Sequence, residues 1–154
     1  MNSWENDKPS ASSELDQNIL ILRQIDFFSG FSLEVIKLLA YLCTRETFQP
    51  GDHLFEQGDD DGTAFYIIDG ETSLMLNDNN AGETPLRNYS TGDFLGGLSL
   101  LGSMPRLFSL KAAAETTCLV LTRDKFTRAT EQFPDLGAKV TEAIVKGVLK
   151  WETR

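Results

Sequence analysis

The sequence has little of what catalytic and metal-binding proteins require. It contains one histidine, His53, and two cysteines, Cys43 and Cys118, which are too far apart for a CxxC motif. His53 follows a Gly-Asp turn without a nucleophile or carboxylate arranged as in a catalytic triad, and a lone histidine of this kind is more often structural. We therefore expect no enzymatic activity and no metal site. The two isolated cysteines favour reduced, buried thiols, with a disulfide as the lesser alternative.

Positive charge and long apolar runs are also scarce. The 154 residues include 14 lysines and arginines against 23 aspartates and glutamates, for a net charge of −9. This balance disfavours DNA, RNA and anionic membranes as partners, because those are bound through basic surfaces. No apolar run reaches transmembrane length, and the first residues lack the apolar core of a signal peptide. We expect a cytoplasmic protein.

The chain is predicted to contain one domain, residues 14–154, after a disordered lead at residues 1–13. The lead is polar and lacks any periodicity. Helices are expected at both ends, over residues 14–43 and 123–154, because apolar residues recur there at helical spacing. Ser13 and Ser32 are predicted to cap the first two helices, and Thr122 or Asp124 the third. The last helix has a wide apolar stripe, which either covers the rest of the domain or pairs with a second copy of the chain; the stripe comprises Leu136, Val140, Ile144 and Val148.

Between residues 44 and 122 the pattern changes to short strands separated by turn residues. Such a pattern is typical of a sandwich or jelly roll. The predicted strands are Thr44–Gln49, His53–Glu56, Ala64–Asp69, Ser73–Asn77, Pro85–Tyr89, Leu107–Ala113 and Thr117–Thr122. The acidic run Asp59-Asp60-Asp61 lacks the spacing of an EF-hand loop, so a solvated turn is expected rather than a calcium site.

The most informative stretch is Gly92–Ser109, GDFLGGLSLLGSMPRLFS. Its glycines allow backbone N–H groups to approach an anion closely, and a short helix after them would direct its first amides at the same point. Arg106 follows a proline turn and can place two donors on a phosphate oxygen pair. The alternative for Arg106 is an ordinary surface position. We expect this stretch, the cassette, to bind a phosphate.

The cassette resembles the phosphate-binding cassette of cyclic nucleotide-binding domains. Similarity extends upstream, where Phe48–Asp52 and Leu54–Asp59 resemble the turns before a strand of that family and Ala64–Glu71 resembles its strand ending in a Gly-Glu turn. The resemblance implies a mainly β fold with flanking helices, namely a double-stranded β-helix or jelly-roll β-roll with N-terminal helices and a C-terminal helix. It also implies cAMP or cGMP as ligand. The residues that the resemblance assigns to the ligand are Gly96, Gly97, Leu98, Ser99, Arg106, Leu107, Phe108 and Ser109.

Two residues depart from the family pattern. Gly97 occupies the position of the glutamate that usually accepts from the ribose 2′-hydroxyl, and Phe108 occupies that of a small residue beside the phosphate. Loss of a hydrogen bond to a charged group costs about 1.5–3 kcal/mol, which corresponds to roughly ten- to a hundredfold in affinity. The Phe108 ring would abolish binding if it filled the pocket.

Two functional hypotheses result. In the first, the chain is a stand-alone regulatory module without a DNA-binding domain, which binds a cyclic nucleotide and passes its state to a protein partner through its helices. A homodimer through the last helix is part of this hypothesis. In the second, the same fold is a degenerate protein-interaction scaffold that binds no nucleotide. A different small anion is a third, weaker alternative.

Overall fold

The computed structural model describes residues 11–80, 82–134 and 136–152. Within these ranges the chain forms a β unit between residues 43 and 127 and a helical unit from residues 11–42 and 128–152. Of the lead predicted at residues 1–13, residues 1–10 lie outside the described part of the chain. No helix within the described ranges combines the length and the apolar character needed to cross a bilayer.

The β unit contains two antiparallel sheets of four strands. One sheet has the order β1-β8-β3-β6 and the other has the order β2-β7-β4-β5. This confirms the mainly β fold with flanking helices that the sequence predicts. The strands are β1 (Thr44–Phe48), β2 (His53–Phe55), β3 (Thr63–Asp69), β4 (Glu71–Asp78), β5 (Gly82–Ser90), β6 (Phe94–Leu95), β7 (Ser109–Ala112) and β8 (Thr116–Thr122).

The predicted strands all appear, with ends that differ by a few residues. The two-residue strand β6 was not predicted. It pairs with β3, Phe65 opposite Leu95 and Tyr66 opposite Phe94, and it delivers the chain into the cassette. Two residues are too few to show a period, which explains why the sequence pattern missed this strand.

The core of the β unit is formed by apolar side chains from both sheets. Ile67 and Leu110 are completely buried, and Phe65 is 3% exposed. Truncation of a buried side chain of this size typically costs about 2–5 kcal/mol, so this cluster dominates the stability of the unit. Its members are Leu54, Phe55, Phe65, Ile67, Leu110, Ala112, Cys118 and Val120.

Both cysteines are free thiols in the β unit, as predicted from their isolation in the sequence; Cys118 is buried as expected, whereas Cys43 is only half-buried. Burial raises the pKa of Cys118 to about 12, and the nearby Glu46 charge acts in the same direction. Burial also raises the pKa of Cys43 to about 12, against a smaller opposing effect of Lys125. Both groups therefore stay protonated at neutral pH.

The helical unit contains α1 (Ala11–Gln24), a 3-10 turn at Asp26–Phe28, α2 (Leu33–Leu42) and α4 (Leu136–Glu152). α1 includes residues 11–13, which were expected to precede it; alanine and serine are tolerated in a first helical turn, so the Ser13 cap is not needed. Ser32 caps α2 as predicted, since its Oγ accepts from the Val35 amide at 3.3 Å. Buried apolar residues of this unit include Leu22, Phe28, Val35, Ile36, Leu39, Leu136 and Val140.

Helix α3 (Arg123–Glu131) begins in the β unit and continues into the helical unit. The sequence left Thr122 and Asp124 open as caps. The Lys125 amide donates to the Thr122 hydroxyl at 3.4 Å, which identifies Thr122 as the capping residue. On α4, Ile144 is half-buried and Val145 is 51% exposed, while the Val148 side chain is outside what the structure describes. Pairing of α4 with a second copy stays a prediction.

Candidate functional site

The cassette begins where β6 ends. Gly96 follows β6 with φ of +84°, a backbone conformation that favours glycine, and the 3-10 helix Gly97–Leu100 follows directly. A Cβ at Gly96 would lie 2.7 Å from the Thr63 carbonyl oxygen and 2.9 Å from Arg106 Nη1. The absence of a side chain at Gly96 therefore allows strand β3, the cassette and Arg106 to come together.

Arg106 is buried, with 8% of its surface exposed. Its Nε donates to Asp61 Oδ2 at 2.9 Å, and its Nη2 donates to Asp61 Oδ1 at 2.5 Å and to the Thr63 carbonyl at 2.5 Å. On one face the guanidinium lies over the Phe55 ring, with Cζ 4.1 Å from the centroid. An arginine paired in this way cannot be the ordinary surface residue that the sequence left open.

Two nitrogens of Arg106 bond to Asp61, and the predicted contact with a phosphate stays a prediction. The sequence predicts that two donors of Arg106 engage a phosphate, whereas Nε and Nη2 engage Asp61. The guanidinium nitrogen beside Gly96 is Nη1. Nη1 is therefore the Arg106 nitrogen placed nearest to Gly96, while Asp61 sets the orientation of the guanidinium.

The backbone of Arg106 is held by the acidic loop Asp59–Asp61. The Arg106 amide donates to the Asp59 carbonyl at 2.8 Å, and the Arg106 carbonyl accepts from the Gly58 amide at 2.8 Å. With the bonds to Asp61, these contacts fix the residue at both its main chain and its side chain. The loop is exposed to solvent, as predicted, and it also supports the site.

Asp60, the middle residue of this loop, holds the tip of the cassette. It accepts from Ser103 Oγ at 2.6 Å and from the Met104 amide at 3.1 Å. Arg123 Nη2 donates to the same carboxylate at 2.6 Å. The Ser103 hydroxyl, the Arg123 guanidinium and the Met104 amide hold the pKa of Asp60 well below its usual range.

The structure places the other residues predicted for the ligand as follows. The Ser99 amide donates to the Gly96 carbonyl at 3.0 Å, so it closes the first turn of the 3-10 helix. The amides before it, those of Gly97 and Leu98, are in the position where a helix leaves its first N–H groups without internal partners. The helix has only four residues, so its individual N–H groups would contribute more to binding an anion than the summed helix dipole.

Ser109 and Phe108 lie beyond Arg106. Ser109 is 5% exposed, and its Oγ accepts from the Gln57 amide at 2.9 Å. Phe108 is half-buried and is not a member of the core cluster of the β unit. The proposed filling of a pocket by the Phe108 ring stays a prediction.

Several apolar side chains of the cassette are exposed. Leu98 and Leu101 are 47% and 42% exposed, and Met104 and Leu107 are 41% and 76% exposed. Leu98 lies within the 3-10 helix and Leu101 directly follows it. Exposed apolar groups concentrated in one segment are typical of a surface that binds a ligand or another protein.

The helical unit contains a separate pocket of about 400 Å³. Its lining includes Phe31, Val35, Phe133, Leu136 and Lys139 and no residue of the cassette. The polar contacts described above converge at Arg106 rather than at this pocket. Among the described residues, no group of three or more histidine, cysteine, aspartate or glutamate side chains is placed to hold a metal ion.

Sequence comparison relates the chain to subunits of cyclic nucleotide-dependent kinases. The cAMP-dependent protein kinase regulatory subunit of Emericella nidulans is 35% identical over 82 residues, which are 53% of this chain and 19% of that protein. That of Mucor circinelloides is 31% identical over 135 residues, 81% of this chain and 31% of that protein. The chain thus spans less than a third of the length of these relatives.

Solved structures share the fold. A cyclic nucleotide-binding-like protein from Brucella abortus is 29% identical, with a TM-score of 0.69 over 75% of this chain and 99% of that chain. The regulatory domain of Toxoplasma gondii PKA, crystallised with cAMP, is 20% identical, with a TM-score of 0.69 over 86% of this chain and 51% of that chain. The second similarity supports the fold alone.

The family model described as the cyclic nucleotide-binding domain matches residues 45–133. This range contains strands β2 to β8, all of β1 except Thr44, the cassette and the acidic loop. The chain belongs to the cyclic nucleotide-binding domain family.

Proposed function

We propose that this domain senses a cyclic nucleotide, cAMP or cGMP, and passes the state of its site to a protein partner through its helices. The observation that carries the proposal is the buried guanidinium of Arg106, which Asp61 and Thr63 orient so that Nη1 lies beside Gly96. A preorganised cation next to two helix-start amides suits a singly charged cyclic phosphate. The relatives that are kinase regulatory subunits support a regulatory role of this kind.

The residues present fit the phosphate of such a ligand better than its ribose. Arg106 supplies the positive charge, and Gly97 and Leu98 supply amides at the start of the 3-10 helix. Gly97 supplies no carboxylate for a ribose hydroxyl. We therefore expect weaker binding than in a domain with glutamate there, by roughly ten- to a hundredfold.

Calorimetric titration with cAMP and with cGMP tests the proposal. The wild type should bind at least one of them, and Arg106→Lys should weaken binding about tenfold or more, because lysine cannot keep the Asp61 contacts and reach the phosphate together. Arg87→Lys is the matched control, since Arg87 is an exposed residue of β5 outside the cassette. No binding at millimolar nucleotide, or equal binding by the Arg106 variant, would contradict the proposal.

Phe108→Ala tests whether the ring limits access. If the half-buried ring occupies space that the ligand needs, its truncation should raise the affinity for cAMP or cGMP. Leu86→Ala serves as control, because the Leu86 side chain is 47% exposed on β5, outside the cassette. Equal affinities of wild type and Phe108→Ala would remove Phe108 from the site.

The second candidate function is a protein-docking scaffold that binds no nucleotide. The exposed apolar residues Leu98, Leu101, Met104 and Leu107 favour it, because such a surface suits contact with another protein. In this case the Arg106–Asp61 pair serves only to hold the cassette in shape. Absence of nucleotide binding in both the wild type and Phe108→Ala would favour the scaffold.

A further inference from the structure

Arg123, the first residue of α3, contacts both the cassette and the acidic loop. Its Nε donates to the Ser99 carbonyl at 2.7 Å and its Nη2 donates to Asp60 Oδ1 at 2.6 Å. Its backbone amide donates to the Gly62 carbonyl at 2.6 Å. One residue thus joins the 3-10 helix of the cassette, the acidic loop and the first turn of α3.

Asp60 extends this connection to the other end of the cassette. The carboxylate that receives Arg123 also receives the Ser103 hydroxyl and the Met104 amide. The side chain of Arg123 is 28% exposed and that of Asp60 is 33% exposed, so water screens the pair only in part. Because one carboxylate accepts from all three groups, a shift of the Ser103–Met104 tip would move the acceptor to which Arg123 donates.

The packing around Arg123 leaves little freedom for its side chain. A Cβ placed on Gly62 would lie 3.0 Å from Arg123 Cζ and 3.2 Å from Arg123 Cβ. The side chain therefore passes directly against the loop backbone. Arginine is suited to this position, because its planar fork reaches two acceptors at once, whereas the single ammonium of lysine does not.

We propose that Arg123 is a positioning residue that couples the conformation of the cassette to the first turn of α3, with Asp60 as the shared acceptor. If Ser99 or the Ser103–Met104 tip shifts, Arg123 loses one of its two side-chain bonds, and the start of α3 loses part of its anchor. Since α3 continues into the helical unit, this contact is a route by which the state of the cassette reaches the helices. The coupling itself needs no ligand; its use in signalling rests on the proposed function.

Amide hydrogen exchange resolved by NMR tests the coupling without ligand. Arg123→Gln should speed exchange of the Met104 amide about threefold or more, because the acceptor Asp60 loses its other anchor. In the opposite direction, Ser103→Ala should speed exchange of the residue 123 amide when Arg123 is present and have little effect in Arg123→Gln. Arg87→Gln removes the same charge from an exposed position and should change neither amide.

Two results would overturn the coupling. One is an unchanged Met104 amide in Arg123→Gln, and the other is independent, additive effects of Ser103→Ala and Arg123→Gln. Arg123→Lys provides a second variant if Arg123→Gln does not fold. This variant keeps the positive charge but loses the guanidinium that reaches two acceptors. Exchange of the Met104 amide should therefore be as fast as in Arg123→Gln.

Titration with cAMP separates this inference from the proposed function. In the wild type, cAMP should slow exchange at both the Met104 and the Arg123 amides; in Arg123→Gln only the Met104 effect should persist, with affinity changed less than about threefold. Binding of cAMP without any effect on the wild-type Arg123 amide would overturn the coupling and leave the proposed function intact. Absence of binding would refute the proposed function, and the ligand-free measurements would still decide the coupling.

Discussion

The guanidinium of Arg106 lies over the aromatic ring of Phe55, with Cζ 4.1 Å from the ring centroid. Phe55 ends strand β2 and is itself a member of the core cluster of the β unit. The core thus provides one wall for the charged group of the candidate site, and Asp61 provides its counter-charge. Stability and binding should therefore be linked through Phe55.

Phe55→Leu should lower both stability and nucleotide affinity. Loss of the cation–π contact and of part of the ring packing is expected to cost about 1–3 kcal/mol of unfolding free energy, measured by urea denaturation. Calorimetry should show weaker binding of cAMP or cGMP. Phe48→Leu is the control, because the Phe48 ring packs on Phe65 with centroids 6.1 Å apart. Equal losses of affinity in both variants would contradict a specific role of Phe55.

Gly96→Ala should be more harmful than Gly92→Ala. Both glycines have positive φ, +84° and +96°, so each alanine incurs about 1–2 kcal/mol of backbone cost. A Cβ at Gly92 meets nothing within 4 Å, whereas one at Gly96 meets the Thr63 carbonyl and Arg106 Nη1. Gly96→Ala should therefore cost about 1–3 kcal/mol more and weaken nucleotide binding. Equal thermal stability of the two variants would show that the cassette is not closed around Gly96.

Gly97→Glu should increase affinity for cAMP and cGMP. Gly97 has no positive φ and begins the 3-10 helix, so a side chain is compatible with its backbone. A carboxylate there would restore a charged acceptor for the ribose hydroxyl, with an expected gain of roughly ten- to a hundredfold. Gly97→Gln controls for side-chain size and should gain less. Unchanged affinity in Gly97→Glu would show that the ribose of the nucleotide does not lie beside residue 97.

Asp60 should contribute to stability at neutral pH but not in acid. Hydrogen bonds from Ser103, Arg123 and Met104 lower its pKa in the folded state, so the unfolded chain binds a proton more readily. The contribution is complete above the unfolded pKa, near 3.8, and is lost as the pH falls toward the folded value.

Thermal unfolding between pH 6 and pH 2.5 measures this contribution. Asp60→Asn should be less stable than wild type at pH 6, and the difference should shrink on acidification, giving a shallower fall in Tm. Asp59→Asn removes the same charge one residue away and should keep the wild-type slope. Parallel curves for wild type and Asp60→Asn would contradict the assignment.

The sequence predicted most of the β unit because its strands are short segments separated by turn residues. Strand β1 pairs over its whole length with residues Thr116 to Val120 of β8 in one antiparallel sheet. The cassette was also recognisable, because its glycines and the Pro105-Arg106 pair lie close together in sequence. The spacing of residues within short segments therefore predicted both the fold and the position of the cassette in the sequence.

The contacts around Arg106 were not predictable in the same way. Asp61 and Arg106 are 45 residues apart, and Asp60 and Arg123 are 63 apart. A run of aspartates has the same sequence whether its side chains face water or pair with arginines. The sequence shows the charges but not their partners. Only the pairing of the strands on either side brings these residues together.

The raised pKa values of the half-buried Cys43 and the buried Cys118 have a practical consequence for labelling the protein. Because burial holds both protonated at neutral pH, neither presents the thiolate that reacts with maleimides or iodoacetamide. A single cysteine introduced at an exposed site on α3, such as Asp124 or Thr127, could then be labelled selectively in the native background. Fluorophores or spin probes attached there would follow the movement of this helix in real time.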